Sequence, residues 1–185
     1  MAEFVIRPLA AAPPTLAALA DILVATVAAG GSVHFMHPLD LSEARAFWEK
    51  ALAAAARDER VVLGAFADGA LVATVSVLLD SPPNQPHRAE IGKMMTHPGH
   101  RGRGAATLLL SAAERLAGQH GRSLLTLDTA AEDGASRLYE KMGYTLAGEI
   151  PDYAFKPHGG LTGTRIYWKR IAAIPPLRLR ERGMG

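Results

Sequence analysis

The chain has 185 residues, 49% of them hydrophobic and 21% charged, with a formal net charge of +2. That length and balance fit one globular domain with a sizeable core and exclude a disordered or fibrous chain. No cysteine is present, which excludes a disulfide framework and thiolate metal sites and suits a reducing cytoplasm, while the mild charge is weak support for a nucleic-acid partner.

Residues 3–9, EFVIRPL, read as a first strand. The run LAALADILVATVAA at 16–29 has the composition of a signal-peptide core, but Asp21 interrupts it and Pro13 and Pro14 precede it. Its length and charge argue against a membrane span. At helical spacing Leu16, Leu19, Ile22 and Leu23 share one face, and Gly30-Gly31 closes it, which predicts a helix over 15–29. A second helix is predicted from Asp40, in capping-box spacing with Glu43, through Trp48 and Leu52 to Arg57.

RVVLGAF (60–66) and ALVATVSVLL (70–79) read as strands joined at Asp68-Gly69, a strong hairpin signal. Three prolines make SPPNQPH (81–87) a loop. AEIGKMMTH (89–97) is a fourth strand, with a bulge expected at Gly92. A helix is predicted over 104–118, and SLLTLDT (123–129) is apolar enough for a central strand buried on both faces. GASRLYEKM (134–142) is a short helix stopped by Gly143, and YTLAGEI (144–150) and TRIYWKRI (164–171) are the last strands. A single domain is expected over 1–172, followed by a Pro- and Arg-containing tail at 173–185 that is mobile or packs on a neighbour. A hairpin-rich start followed by a strand-helix-strand unit implies an α+β chain with a mixed sheet.

HPGHRGRGAATLLLSAAE (97–114) places Arg101 and Arg103 at the mouth of a helix, with no acid before Glu114. The macrodipole favours negative charge at that end, so the missing anion is expected to come from a ligand. The nucleotide-triphosphate loop fits poorly, because Ala105 and Ala106 stand where its lysine and hydroxyl belong. The dinucleotide fingerprint fits Gly102 and Gly104 but meets Thr107 third, and it comes too late in the chain. The pattern R-x-x-G-x-[GA] is satisfied by Arg101, Gly104 and Ala106, after a strand and at a helix start.

There the chain resembles the GNAT superfamily of acyl-CoA-dependent N-acetyltransferases. NQPHRAEIGKMM, LLTLDT and GEIPDYAFKPHGGL are similar, more closely, to acetyltransferases of the tabtoxin-resistance type. The resemblance implies a GNAT fold: a mixed central sheet of about seven strands, helices on both faces, and splayed fourth and fifth strands. It implies acetyl-CoA as acyl donor, without a metal, with the diphosphate held by Arg101, Gly102, Arg103, Gly104, Ala105 and Ala106. Met94, Met95 and Thr96 would line the pantetheine path, and a backbone N–H near Met94 or Met95 would meet the oxyanion.

Acetyl transfer to an amine needs a base for an ammonium of pKa about 10, donors for the oxyanion and an acid for the departing thiolate. Tyr139 matches the family's acid, and Ala135, Leu138 and Met142 share its face; a core aromatic is the plainer alternative. Glu90 and Asp128 are both base candidates and as a pair could bind the acceptor's ammonium, with Glu90 slightly ahead. Their plainer roles are an ion pair of Glu90 with Arg88 or Lys93, and capping or cation pairing by Asp128. His34 and His37 lack a third ligand and read better as surface-loop histidines than as a metal site. His97, His100 and His120 are expected in solvent, the first two near phosphates, and Trp48, Phe35 and Tyr153 could wall an acceptor pocket.

The expected function is acetyl transfer in the cytoplasm to a small-molecule primary amine, for instance an amino-acid-like toxin or antibiotic. No nucleic-acid or membrane partner is expected, and a homodimer stays open. Acetylation of protein N-termini or lysines, a non-catalytic acyl-CoA-binding module, and a nucleic-acid binder using the tail are the alternatives.

Overall fold

The computed structural model describes residues 4–132 and 134–173. Glu3 of the expected first strand, and 174–185 of the expected tail, lie outside the described residues.

The first strand, β1, is Val5–Pro8. Helix α1 follows over Pro13–Ala28; the two prolines occupy its first positions, where their missing N–H groups cost nothing, so it begins earlier than predicted. Its end has the Schellman pattern: Gly30, at φ +85°, and Gly31 donate to the carbonyls of Val27 and Thr26 at 2.9 Å each. Helix α2 spans Leu41–Ala55 with Asp40 at its N-cap. The expected capping box does not form, since the Asp40 side chain makes no cap hydrogen bond.

Strands β2 (Arg60–Ala67) and β3 (Ala70–Leu78) form the expected hairpin. Its corner residues Asp68 and Gly69 have φ of +49° and +80°, the primed-turn geometry that matches strand twist. Strand β4 runs Arg88–Thr96, helix α3 Ala105–Gln119 and strand β5 Leu124–Ala130. Helix α4, Ser136–Lys141, leads into a long hairpin of β6 (Thr145–Phe155) and β7 (Leu161–Arg170). Both hairpin strands exceed their predicted lengths. The ladder breaks between Ile150 and Ala154, where Asp152 has φ +52°, so Pro151 sits in an irregularity that needs no ladder donor.

The seven strands form one sheet in the order β1-β2-β3-β4-β5-β7-β6. Only β4 and β5 are parallel, and they pair only from Arg88–Glu90 to Leu124–Thr126 before parting. Helices cover both faces. Leu109, Leu110 and Ala113 of α3 and Tyr139 of α4 pack with Val75, Val77, Ile91 and Leu125 on one side. Leu19, Leu23 and Trp48 of α1 and α2 pack with Val62 and Met95 on the other. This is the expected mixed sheet with splayed fourth and fifth strands.

The bulge in β4 lies one step beyond its expected place. Ser76 faces Gly92 but Thr74 faces Met95, so Lys93 and Met94 together oppose one residue of β3. Lys93, not Gly92, takes the positive φ, +50°. The extra residue transfers Met94 to the α3 side of the sheet, with Ile91, and Met95 to the α1–α2 side. Glu90 and Gly92, which plain alternation would put on one face with Met94, therefore share it with Met95 instead. Strand β5 also departs from its expected burial on both faces: Leu125 and Leu127 are buried while Asp128 is exposed. Among the described residues, no helix is long and apolar enough to cross a membrane.

Candidate active site

Where β4 and β5 part, a cleft of about 880 Å³ opens, running from the start of α3 to the β6–β7 hairpin. Its first end is built by the turn after β4. Pro98–His100 make a short 3-10 turn, then Gly102 (φ +73°) and Gly104 (φ +94°) deliver the chain into α3. An L side chain is strained at both glycines, and a Cβ at either would meet no atom within 4 Å. The space in front of this turn is therefore open.

Among the described residues, no acceptor takes a hydrogen bond from the amides of Gly104, Ala105 or Ala106. The first amide to bond back is that of Leu108, to the Gly104 carbonyl at 3.3 Å. With no acid in the first turn of α3, these donors and the helix dipole form a cradle for an anion. Arg101 lines the same space and donates from Nε to the Thr96 carbonyl at 3.3 Å. Arg103 is exposed and lies off the wall of the cleft. His100 is more enclosed than expected: it lines the cleft, and its Nδ1 is buried without a partner. His97 accepts from the Gly99 amide at 3.2 Å and approaches Asp21 at 3.8 Å, while His120 is exposed at the end of α3.

Met94, Met95 and Thr96 line the middle of the cleft. Met95 is only 2% exposed, its side chain in the core, so what it offers the cleft is backbone. Opposite stand Ala135, the N-cap of α4, and Leu138 and Tyr139 within that helix. Tyr139 is buried, with its ring 5.9 Å from those of both Tyr144 and Tyr167.

The far end gathers the charges. Glu90, in the last β4–β5 pair, and Asp128, beyond it, both line this end. Arg88 Nη1 lies 3.5 Å from Glu90, the ion pair foreseen as that residue's plainer role, and Thr164 donates to Asp128 Oδ2 at 3.3 Å. Lys93, turned out of the strand by the bulge, stands among them with Nζ 2.8 Å from His34 Nδ1. Burial, and to a lesser degree Lys93, holds the His34 imidazole below its ordinary pKa, against the opposing pull of Asp128 and Glu90. Burial lowers the Lys93 ammonium too, again against both carboxylates. Arg60, Phe47 and Tyr153 complete this end.

Every residue expected in catalysis or acetyl-CoA binding, apart from Arg103, lines this one cleft. His34 is an exposed loop histidine, as expected, yet its ring lines the cleft and reaches Lys93. His37 instead packs against His158, with centroids 4.4 Å apart and the rings tilted by 46°. Trp48 is fully buried in the α1–α2 core, and Phe35 packs edge-on to Phe47, so Tyr153 alone of the three aromatics walls the cleft. Lys93, Arg60 and Ser76 were not foreseen as cleft residues. The bulge expected one residue earlier was the available signal for Lys93; nothing local marks the other two. Among the described residues, no group of three or more His, Cys, Asp or Glu is arranged to hold a metal ion.

The sequence profile of the acetyltransferase (GNAT) family matches residues 32–144. In three dimensions the chain is similar to a candidate acetyltransferase, yncA, from Salmonella typhimurium, solved with its cofactor acetyl-CoA. The TM-score is 0.76 at 21% identity, over 93% of this chain and 96% of the other. It is similar to ribosomal-protein-alanine N-acetyltransferase from Brucella melitensis, with a TM-score of 0.73 at 22% identity over 90% and 99% of the two chains. A candidate phosphinothricin N-acetyltransferase superposes with a TM-score of 0.77 at 22% identity, over 92% and 99%.

Proposed function

The chain belongs to the GNAT family of acetyltransferases, and from that membership we propose that it transfers acetyl from acetyl-CoA to the primary amine of a small molecule, by direct attack in a ternary complex. Acetyl-CoA supplies an activated acyl carbon on a thiol leaving group, and the chain's own residues supply the rest. The unengaged amides of Gly104, Ala105 and Ala106 hold the diphosphate at the positive end of α3, with Arg101 adding charge. This grip sets where the thioester lies between β4 and α4. A backbone N–H of β4 near Met94 or Met95 donates to the oxygen as it becomes an oxyanion.

Tyr139, on the opposite wall, gives its phenolic proton to the departing thiolate. The Glu90–Asp128 pair attracts the acceptor's ammonium, and Glu90 removes its proton so that the free amine can attack. No enzyme nucleophile is required, in keeping with a chain without cysteine. That composition also suits a cytoplasmic enzyme.

The observation that carries this reading is the continuity of the cleft, which joins the anion cradle to the paired carboxylates past Tyr139. The structural neighbours name two different acceptors, a ribosomal protein and phosphinothricin, and at 22% identity they share only the fold with this chain. Support for a small acceptor comes from opposite charges concentrated at one end of the cleft, and from segments resembling the tabtoxin-resistance type. An amino-acid-like toxin or antibiotic is the narrower form of the proposal.

A thiol-release assay with acetyl-CoA over a panel of small amines and peptides tests it. Glu90→Gln is expected to lower kcat, and Asp128→Asn to raise the KM of the amine. Release with peptides alone overturns the small-molecule acceptor. Binding of acetyl-CoA without release on any amine overturns catalysis and leaves an acyl-CoA-binding module.

A further inference from the structure

We infer that Lys93, steadied by His34, is an anion-binding group for the acceptor, so that the amines this enzyme takes carry a carboxylate or equivalent oxyanion close to the nucleophilic nitrogen. The inference rests on the acetyl-transfer reading above and adds a recognition element to its acceptor end.

Lys93 is the extra residue of the β4 bulge and has φ +50°, while His34 has φ +73°. Histidine tolerates the left-handed region but lysine rarely enters it, and such a conformation persists where the surrounding structure holds it, often at functional sites. Here the two meet, with Lys93 Nζ 2.8 Å from His34 Nδ1. An ammonium has three N–H donors and no acceptor, so this contact engages one of them. Among the described residues, Lys93 makes no other hydrogen bond and no ion pair within 4 Å, although Glu90 and Asp128 line the same cleft. Its remaining contact is with the Phe47 ring, 5.6 Å from Nζ.

The imidazole follows suit. With Nδ1 accepting from the ammonium, a neutral His34 carries its proton on Nε2 and presents a donor there. Arg60 lines the cleft nearby, and its Nε is buried without a partner. The acceptor end thus holds two sets of groups, donors and positive charge at Lys93, His34 and Arg60, and carboxylates at Asp128 and at Glu90, the latter beside Arg88. A simple alkylamine would satisfy the carboxylates but bring a second cation beside Lys93. A zwitterion satisfies both sets, and the like-charge repulsion selects against acceptors lacking the anion.

The test compares matched acceptors in the thiol-release assay: L-phenylalanine with 2-phenylethylamine, and L-norleucine with pentylamine. The native enzyme is expected to favour the amino acid of each pair in kcat/KM. In Lys93→Asn, where asparagine tolerates the left-handed backbone, that preference should fall by about 10- to 100-fold, as for loss of a charged hydrogen bond. Lys93→Arg should restore part of it, with the KM for acetyl-CoA unchanged throughout. Equal use of both members of each pair by the native enzyme, or an equal loss on both in Lys93→Asn, overturns the anion subsite while acetyl transfer stands. Absence of release on every amine overturns acetyl transfer and the subsite with it. Should Lys93→Asn fail to fold, the native preference alone decides.

Discussion

Tyr144 folds back over Tyr139: its amide donates to the Tyr139 carbonyl at 2.9 Å, and the two rings meet edge to face with centroids 5.9 Å apart. Gly143, at φ +82°, makes the reversal possible by ending α4 in the left-handed region. The proposed acid is thereby locked between Tyr144 and Tyr167.

Tyr139→Phe keeps this ring packing and removes only the hydroxyl. It should lower kcat by about 100-fold or more, as for loss of a general acid, with little change in thermal unfolding. Gly143→Ala should instead cost about 1–2 kcal/mol of stability through its backbone, read from urea unfolding, because the added Cβ meets nothing closer than 3.9 Å. Together the two variants separate chemistry from scaffolding.

At the anion cradle, Gly104→Val places a β-branched residue at φ +94°. The turn must rearrange, and the amides it aims should lose their common focus. Affinity for acetyl-CoA, measured by calorimetry, is expected to fall about 10-fold or more, the scale of a charged hydrogen bond. Arg101→Ala should give a smaller loss that shrinks with added salt.

The local features of this fold were legible and the long-range ones were not. Asp68-Gly69 signals its own turn, and Gly30-Gly31 closes α1, because each choice depends on neighbours a few residues away. The R-x-x-G-x-[GA] turn was visible for the same reason. By contrast, the bulge settled at Lys93 because of how β4 meets β3, and β6 continued past Pro151 because β7 pairs with it beyond the irregularity. The exposure of Asp128 depends on β4 leaving β5, which no property of SLLTLDT records. His34, in a loop distant in sequence from both strands, meets there the ammonium that the bulge delivers.

His34 should give stability a pH dependence. Burial, joined by Lys93, holds its folded pKa below the ordinary 6.5, with Asp128 and Glu90 pulling the other way. Between that lowered value and 6.5 the unfolded imidazole binds a proton that the folded one does not, so stability rises with pH across the window. Below the window the deficit is complete and stays constant. His34→Asn should therefore lose less stability than the native chain between about pH 7.5 and about pH 5, as read from urea midpoints.

Behind the site, Lys169 Nζ bonds both oxygens of Glu114 at 2.8 Å and the Met142 carbonyl at 2.7 Å. The Lys169 and Glu114 side chains are only 22% and 16% exposed. Removing the cation leaves a carboxylate beside the Tyr144 phenol, which burial, with Glu114, already pushes well above its usual range. Lys169→Met is expected to cost about 2–3 kcal/mol in urea unfolding. Pairing it with Glu114→Leu should recover part of that loss, since no unmatched charge remains.

The bulge in β4 makes one residue of this strand, Lys93, surplus to its ladder with β3. A conservative exchange among Met94, Met95 and Thr96 leaves each position facing the way it does now. Deleting Lys93 would leave Met94 opposite Val75 and Met95 opposite Thr74, each on the face it has now. It would also withdraw the inserted ammonium from its histidine. A one-codon deletion here can therefore strip the binding group while sparing the core.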